Sequence, residues 1–488
     1  MKYDIKTLFG RAAPLVLASG LLAGCMVGPN YEKPELGLRP GFVSAPTTNS
    51  SGPVVDLARW WTGFGDPELT KLVGRTLSEN LDLAQARARV LQSRAAARAA
   101  GAALLPQAST DGSVADVQQS LQSPIGEIGR HLPGYKRNYD EYGLGAEASW
   151  EIDLFGGLRR GAQAARATAL ASANEAQALR TSVAAETADA YLQVRAYQGR
   201  IEVADRQARV EQDLVALLTK LANEGVAPDR ELHQAEALLE AVRASIPPLV
   251  AGRDGELNRL DILIGAQPGT LRAELQTAAA IPTPPPVAAA DGTAGLLRRR
   301  PDILAAEQHL IAANARIGEA VSDYYPKVSI SGLVGVDSID ASQMFTGSAV
   351  QHHIGAGLRW RLFDFGRVDA EVAAARGKDA EALAAYRATV LRATGEVEDA
   401  FDERAQEEAR AAALTRQLAE LTTARAQAQQ AFEGGVISLI EVRDIDRDLL
   451  TASDQLTLAR AGIARATVSC FRALGGGWEV VTTPTSGA

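Results

Sequence analysis

Alternation of apolar and polar residues marks several short segments of the chain as strands. Between residues 142 and 153 every second side chain is apolar, namely Leu144, Ala146, Ala148, Trp150 and Ile152. Residues 327–337 and 353–362 alternate in a similar way. Strands of about ten residues with one apolar and one polar face are typical of a transmembrane barrel with lipid outside and water inside. A half-buried sheet of a soluble protein has the same pattern.

Two very long segments between these strands have helical composition. Gly157–Asn223 and Arg367–Glu433 are rich in alanine and contain no proline over 67 residues each. At 1.5 Å per residue each would be roughly 100 Å long. Each stops beside glycine, at Gly225 or at Gly434–Gly435, where a positive φ can end a helix, and a shorter return helix is predicted beyond. Hairpins of this length suit antiparallel coiled-coil packing.

The sequence contains an internal repeat. At an offset of 210, Gly145, Trp150, Phe155, Gly156, Asp189, Ala190, Val226 and Gly265 are repeated as Gly355, Trp360, Phe365, Gly366, Asp399, Ala400, Val436 and Gly475. Upstream, at an offset of 220, Asp82, Ala86 and Pro106 are repeated as Asp302, Ala306 and Pro326. The first copy therefore has ten extra residues between Pro106 and Gly145.

Each copy is predicted to fold as helix, strand, strand, very long helix, turn and long helix, which makes the fold class mostly α with a small β part. Repeat 1 covers 66–270 with a β-hairpin at about 107–153, and repeat 2 covers 296–475 with a β-hairpin at about 327–363. A proline-rich connector joins the repeats over 271–295, and a tail follows over 476–488.

The first residues predict export and lipidation. Three basic residues precede the short apolar stretch Ala12–Gly24, as in a secretory signal peptide over 1–24. The stretch ends in Leu22-Ala23-Gly24-Cys25, which resembles a bacterial lipobox, so Cys25 is predicted to carry lipid and to begin an extended segment over 25–65. Met26, not aspartate, follows Cys25, which favours the outer membrane. An ordinary signal peptide with an incidental cysteine is the alternative.

Closure of the sheet predicts the assembly. Four strands per chain cannot form a closed barrel, and an open sheet edge is not tolerated in lipid. Three copies would supply twelve strands around an open lumen, whereas two copies would supply eight around a filled one. The geometry favours a homotrimer.

Composition excludes several function classes. The chain has 59 acidic and 50 basic residues, which argues against a nucleic-acid-binding protein. Two cysteines and five histidines leave little material for a metal site, and Cys470 in an apolar helix is predicted to be buried and unreactive. No catalytic motif is recognisable, so we predict neither an enzyme nor a cofactor other than the lipid on Cys25.

A few polar and aromatic residues have two interpretations. His352 and His353 could bind a metal ion, but neighbouring strand residues point to opposite faces. The cluster Arg298–Arg300 is interpreted as solvated or structurally paired rather than as an anion site. Trp150 and Trp360 are either anchors at a membrane interface or packing residues where the sheet meets a helix.

Four stretches carry a resemblance to a known family. They are Cys25-Met-Val-Gly-Pro-Asn-Tyr31, Trp60-Trp61-Thr-Gly-Phe64-Gly-Asp66-Pro67, Arg299-Arg300-Pro301-Asp302-Ile303 and Phe432-Glu-Gly-Gly-Val-Ile-Ser438. The chain resembles the TolC-like outer-membrane factor family, in its lipoprotein branch (OprM/NodT-like). The resemblance implies a trimeric conduit for small-molecule efflux, with a twelve-stranded barrel in the Gram-negative outer membrane and a twelve-helix periplasmic tunnel. It also implies a periplasmic adaptor and an inner-membrane transporter, which we expect to be of the resistance-nodulation-division type.

The resemblance also assigns two functional regions. The adaptor would meet the helix tips, at Gly225 and Val226 in the first repeat and at Gly434, Gly435 and Val436 in the second. The alternative is that these glycines only stop helices.

The periplasmic gate would lie beside the second tip. Glu441 and Asp444 share a helix face, Asp444 falls on the family's acidic gate position, and Arg447 on one that pairs across helices. Phe432 occupies a position often held by tyrosine. Threefold symmetry would turn each acid into a negative collar, and an ordinary solvated helix face is the alternative.

Other functions remain open. The alternating strands distinguish a conduit from a coiled-coil scaffold lipoprotein without a pore. Within the conduit class, secreted protein (type I secretion) and metal ions are alternative cargoes, and the sequence names neither the substrates nor the particular pump.

Overall fold

The computed structural model describes residues 26–45, 55–226, 228–287 and 292–479. The predicted signal peptide (1–24), the predicted lipid site Cys25 and the tip residue Ala227 lie outside these ranges. The helices, in chain order, are α1 Pro67–Glu79, α2 Leu81–Ala102, α3 Pro124–Gly129, α4 Gly157–Asn223, α5 Asp229–Leu263, α6 Gly292–Arg299, α7 Pro301–Ser322, α8 Arg367–Glu433 and α9 Leu439–Ala473. The strands are β1 Gln107–Gln118, β2 Asn138–Ile152, β3 Lys327–Ser338 and β4 Val350–Arg359.

The four strands form one antiparallel sheet in the order β1-β2-β3-β4. Two hairpins, one from each repeat, are joined through β2 and β3, where Ser149 pairs with Ser331. The outer strands β1 and β4 are the two edges of the sheet. The ten extra residues of the first repeat fall in the connection between β1 and β2, which includes α3.

The helices confirm the fold class predicted from the sequence, mostly α with a small β part. The long helices α4 and α8 have 67 residues each, and the return helices α5 and α9 have 35 each. The bounds of α8 and α9 lie 210 positions after those of α4 and α5, so the repeat seen in the sequence is a repeat of structure. No helix in the described ranges is long and apolar enough to cross a membrane.

The chain divides into two compact units, and each takes segments from both repeats. The first unit contains 26–34, 91–171 and 307–385, which include the sheet. The second contains the described residues of 35–90, 172–306 and 386–479, which are helical apart from their connections. The boundaries of the compact units therefore differ from the boundaries of the sequence repeats.

The core of the second unit is organised around an aromatic cluster near the start of the chain. The Trp60 ring stacks on Phe471 with centroids 5.4 Å apart, and Trp61 and Phe64 meet Trp60 edge-on. Trp60, Trp61 and Phe64 belong to the 3₁₀ helix Leu57–Phe64, so the end of the segment predicted as extended over 25–65 is helical instead. Burial of the two tryptophans and the phenylalanine favours this compact turn over an extended strand.

Candidate functional site

The two helix tips have the same backbone geometry. Gly225 and Gly435 have φ values of 70° and 75°, in the left-handed region that glycine adopts without strain. Beyond them the N–H of Val226 donates to Leu221 O at 2.9 Å, and that of Val436 donates to Ala431 O at 2.8 Å. This is the Schellman arrangement that ends a helix. It explains why both glycines are needed for the fold.

The tips also present apolar side chains to solvent in the isolated chain. Val226 and Val436 are 70% and 79% exposed, at equivalent positions of the two repeats. Gly434 differs from its neighbour, because its φ is not positive and an added Cβ would meet only ordinary contacts, the nearest at 3.5 Å. A larger residue at position 434 would therefore cause no backbone strain, whereas one at position 435 would have to adopt a strained positive φ.

The predicted gate residues are spread over the tip and the first turns of α9. Glu441 accepts hydrogen bonds from the N–H and the hydroxyl of Ser438, both at 3.2 Å, so it caps the start of the helix. Asp444 and Arg447 approach each other on the same helix, with Nη1 and Oδ1 3.6 Å apart and both side chains about 60% exposed. Phe432 is half-buried at the end of α8. The structure therefore brings Asp444 and Arg447 together and gives Glu441 a local structural role.

A buried ionic cluster beside these turns was not predicted. It joins Glu211 on α4, Arg425 on α8, and Arg443 and Asp446 on α9. The Glu211 side chain is 1% exposed, and both of its oxygens lie 3.2–3.3 Å from Arg443 Nη1. Arg443 Nη1 is also 3.7 Å from Asp446, which accepts a hydrogen bond from Arg425 Nε at 3.1 Å. Two carboxylates and two guanidinium groups thus hold three long helices together.

Burial shapes the electrostatics of this ionic cluster. Loss of solvation raises the pKa of Glu211 above its ordinary value, and the nearby Arg443 partly offsets that rise. The counterparts of Glu211, Arg443 and Asp446 in the other repeat are Leu421, His233 and Glu236. The sequence signal that could have revealed the ionic cluster is Glu211, an acidic residue at a position where the second repeat has Leu421.

The segment after Cys25 is clamped by a buried arginine. Arg160 in the first turn of α4 is 1% exposed and donates to Val27 O at 3.2 Å, Gly28 O at 3.3 Å and Asn30 Oδ1 at 2.9 Å. A Cβ on Gly28 would come within 2.4 Å of Gly318 Cα on α7, and Gly28 has a positive φ of 87°. The stretch Met26–Tyr31 therefore needs glycine at this point, and its attachment holds the chain immediately after the predicted lipid site.

A second buried arginine explains another of the recognisable stretches. Arg300 is 7% exposed and donates to Asp302 at 2.7 and 3.0 Å, to Glu396 at 2.7 Å and to Ala473 O at 3.1 Å. Burial lowers the pKa of the guanidinium, but the two carboxylates more than offset this and raise it overall. The expectation that the cluster Arg298–Arg300 is structurally paired is confirmed for Arg300.

The paired tryptophans close each hairpin onto the helix before it. The Trp150 indole N–H donates to Leu104 O at 3.0 Å, and that of Trp360 donates to Tyr324 O at 2.9 Å. Both rings are partly exposed, by 38% and 51%. A structural role at the junction of sheet and helix is thus observed for both residues, and it leaves their apolar rings available to a membrane interface.

The cysteine and the two adjacent histidines considered as reactive or metal-binding residues lie in a helix core and in the sheet. Cys470 is buried, which raises the pKa of its thiol to about 12, and its Sγ donates to Ala400 O at 3.3 Å. The predicted burial of this thiol is confirmed, and the raised pKa supports the prediction that it is unreactive. His352 and His353 pair with Val334 and Leu333 across the sheet. Among the described residues no group of three or more histidine, cysteine or acidic side chains has the geometry of a metal site.

Comparisons with known proteins give a consistent result. A family model described as outer membrane efflux protein matches residues 72–266 and 294–476. The pyoverdine export outer membrane protein OpmQ of Pseudomonas putida is 30% identical over 91% of this chain and 94% of its own length. The cation efflux system protein CusC of Escherichia coli is 27% identical over 94% and 97%. The toluene efflux pump outer membrane protein TtgF of Pseudomonas putida is 28% identical over 96% and 97%.

A solved structure agrees with the sequence comparisons. The outer-membrane channel OprN superimposes with a TM-score of 0.84 at 31% identity, over 93% of this chain and 100% of that chain. The similarity therefore covers both repeats and both compact units.

We expect the ionic cluster to contribute to stability through its buried pairing. Glu211→Ala would remove the nearer of the two carboxylates that pair with Arg443 and should lower the free energy of unfolding by about 3 kcal/mol. Thermal unfolding in detergent measures the loss. The control is Glu202→Ala, which removes an exposed pair with Arg206 and should change stability by less than about 1 kcal/mol. Equal effects of the two substitutions would contradict the assignment.

The same site should give a defined pH dependence. Because the pKa of Glu211 in the folded state is raised above 4.5, its ionisation costs stability as the pH rises through the folded value. The stability of the native chain relative to Glu211→Gln should therefore fall between low pH and neutrality. Denaturant titrations of both chains across that range measure the difference, and a pH-independent difference would rule out the buried titration.

Proposed function

We propose that this chain, which belongs to the outer membrane efflux protein family, is the passive exit duct of a tripartite system for small molecules. Members of the family are outer-membrane channel components of efflux pumps. The protein lies in the outer membrane and extends into the periplasm, as its relatives do. The observation that carries the proposal is a four-stranded sheet with an exposed apolar face and two open edges, on a chain whose long helices contain no membrane-spanning segment in the described ranges.

The proposed assembly is a homotrimer. One face of the sheet exposes large apolar side chains, namely Val114, Leu144, Ile330, Val334, Ile354 and Leu358. Such a face is stable against lipid, but the unpaired backbone groups of an edge strand are not. Three copies would close a twelve-stranded barrel with a water-filled lumen. The alternative of a scaffold without a pore leaves this apolar face without a role.

The proposed partners follow from the tripartite arrangement. A periplasmic adaptor would dock at the exposed tips Gly225–Val226 and Gly434–Val436, and an inner-membrane transporter of the resistance-nodulation-division type would supply the energy. In this scheme the chain itself performs no catalytic step and uses no cofactor apart from lipid on Cys25.

The cargo is proposed only as a class. The relatives are named for cations, pyoverdine and toluene, although they share most of their length with this chain. A duct that serves such different compounds selects them weakly, so the transporter would choose the substrate. Small organic molecules are the proposed cargo, metal ions are the second candidate because of the similarity to CusC, and no contact in the described residues favours secreted protein.

The proposed gate is a ring of acidic residues near the second tip, in which Asp444 is the principal member. Three copies of an exposed carboxylate facing a lumen would attract cations and repel anions. Glu441 is bound to Ser438, so it is the weaker candidate. Arg447 would compete for Asp444 within the chain at 3.6 Å and would modulate the charge of the ring.

Single-channel recording tests the duct and its gate together. Purified protein should sediment as a trimer and form conducting pores in planar bilayers. Asp444→Asn should reduce cation selectivity and block by divalent cations, because three negative charges leave the constriction. Glu420→Gln, which removes an exposed carboxylate from α8, is the matched control and should leave both unchanged. A monomer without conductance would refute the channel, whereas unchanged selectivity in Asp444→Asn would move the gate elsewhere.

The adaptor site is tested by charge placed on the tips. Val226→Asp combined with Val436→Asp should fold normally, because both side chains are exposed, but should lower efflux and adaptor binding by at least about tenfold through buried, unpaired charge. Co-purification with the adaptor and drug-susceptibility assays measure the effect. Val43→Asp, at a valine that is 76% exposed in the N-terminal segment, is the control. Full efflux by the tip variant would mean that the glycines only end the helices.

The lipid proposal has a direct test. Mass spectrometry of the mature N-terminus should find a diacylglycerol thioether and an acyl amide on Cys25. A chain with Cys25→Ala and a cleavable signal should still assemble, since the barrel alone would anchor it and acyl chains would add only about 0.8 kcal/mol per buried methylene. An unmodified cysteine would refute lipidation.

A further inference from the structure

The two edge strands can be matched to each other through the internal repeat. Within the chain, β2 of repeat 1 pairs with β3 of repeat 2. In a ring of identical copies the next seam would join β4 of repeat 2 to β1 of repeat 1 on a neighbouring copy. This seam exists only if the proposed trimer forms, so the inference deepens the proposed function.

The repeats are equivalent at this level of detail. Trp150 donates to Leu104 O, and Trp360 donates to Tyr324 O, in each case with the indole N–H and at nearly the same distance. The two donating tryptophans are 210 positions apart, and the two residues whose carbonyls accept, Leu104 and Tyr324, are 220 apart. Both offsets read from the sequence thus hold for contacts, which justifies carrying the β2–β3 register over to the second seam.

We infer that β4 of one copy pairs with β1 of the next in the register that places Arg359 opposite Asp111 of the partner subunit. In the seam within the chain, Ser149 lies opposite Ser331. Position 359 is the counterpart of Ser149 at the offset of 210, and position 111 is the counterpart of Ser331 at the offset of 220. The neutral pair inside the chain becomes an oppositely charged pair between copies.

The faces of the strands agree with this register. Asp111 shares the polar face with Gln107, which lies opposite Ser149, and Arg359 is the repeat counterpart of that serine. Directly opposed residues on one face interact, and an opposite-charge pair there stabilises the pairing of the two strands. Both members of the pair would therefore face the lumen rather than lipid.

Charge within the isolated chain favours the same partner. Arg359 lies opposite Lys327, so it meets a like charge on its paired side, which is unfavourable for neighbouring strands. Asp111 lies opposite Gly145 and has no side chain to pair with across the strand. A register shifted by two residues in either direction would place Ser109 or Ser113 against Arg359 and would separate Arg359 from Asp111.

An exposed aromatic residue that follows β4, Phe365, supports the same contact between copies. Phe155 stacks on Tyr325 with ring centroids 4.5 Å apart, which joins repeat 1 to repeat 2. Their counterparts are Phe365, which is fully exposed at a strained φ of 55°, and Leu105, which is 64% exposed. Contact between Phe365 and Leu105 of the partner subunit would bury both side chains and would offset the strain of the Phe365 backbone.

Cross-linking in the full-length trimer tests the register. Leu358 would lie opposite Gly112 of the partner subunit, so oxidation of Leu358→Cys/Gly112→Cys should give a covalent trimer on a non-reducing gel. Asp116→Cys and Ala108→Cys, each combined with Leu358→Cys, are matched controls on the same face, displaced by about 13 Å along the strand. Native Cys470 is buried and should not react.

The outcomes separate the register from the assembly. Cross-linking through residue 116 or 108 but not 112, in trimers verified by ultracentrifugation, would overturn the register and leave the channel intact. A chain that never forms trimers would overturn both proposals.

A charge exchange provides an independent readout that a merely local effect would not reproduce. Arg359→Asp and Asp111→Arg should each lower the temperature at which trimers dissociate, and the combined variant should recover most of the loss. Additive losses in the combined variant would contradict the pairing. Leu105→Tyr should raise the dissociation temperature, since it restores the aromatic stack seen within the chain, and should do so only while Phe365 is present.

Discussion

Backbone hydrogen bonding in lipid is the constraint on which the architecture depends. A strand surrounded by hydrocarbon must have its N–H and C=O groups paired on both sides, yet β1 and β4 are edges of a four-stranded sheet. The apolar face of the sheet suits lipid, and in the proposed trimer further copies of the chain would close the edges. Because the chain contains an internal repeat, the β2–β3 seam within one chain provides the geometry that we propose for the seam between copies.

Buried arginines hold together segments that are far apart in sequence. Arg160 binds the carbonyls of Val27 and Gly28, Arg300 binds Asp302 and Glu396, and Arg443 binds Glu211. A planar guanidinium has five donors and can satisfy several acceptors at once, so each arginine fixes the meeting point of separate helices or loops. Two of the four stretches that resemble the family, those around Gly28 and Arg300, therefore contain structural joints.

The two repeats have diverged where charge is buried. Glu211, Arg443 and Asp446 correspond to Leu421, His233 and Glu236, and the last two form an exposed pair, with ring nitrogen and carboxylate oxygen 3.1 Å apart. α4, α8 and α9 are thus held by an ionic cluster that is largely shielded from water, whereas His233 and Glu236, the counterparts of Arg443 and Asp446 on α5, are exposed.

The sequence by itself determined the repeat, the bounds of the 67-residue helices, the alternation of the strands and the glycines at the tips, since periodicity and backbone preference are local properties. The cap of α9 is local as well, because Glu441 and Ser438 form the Ser-x-x-Glu capping box. Tertiary structure alone decided that Trp60 of the 3₁₀ helix Leu57–Phe64 stacks on Phe471 and that Glu211 meets Arg443 across 232 positions. Both contacts depend on which distant side chain removes water from a group, and no local pattern encodes that. The proposed register between β4 and β1 of neighbouring copies needs both sources. The sequence supplies the offsets of the repeat, and the structure supplies the β2–β3 pairing to which they are applied.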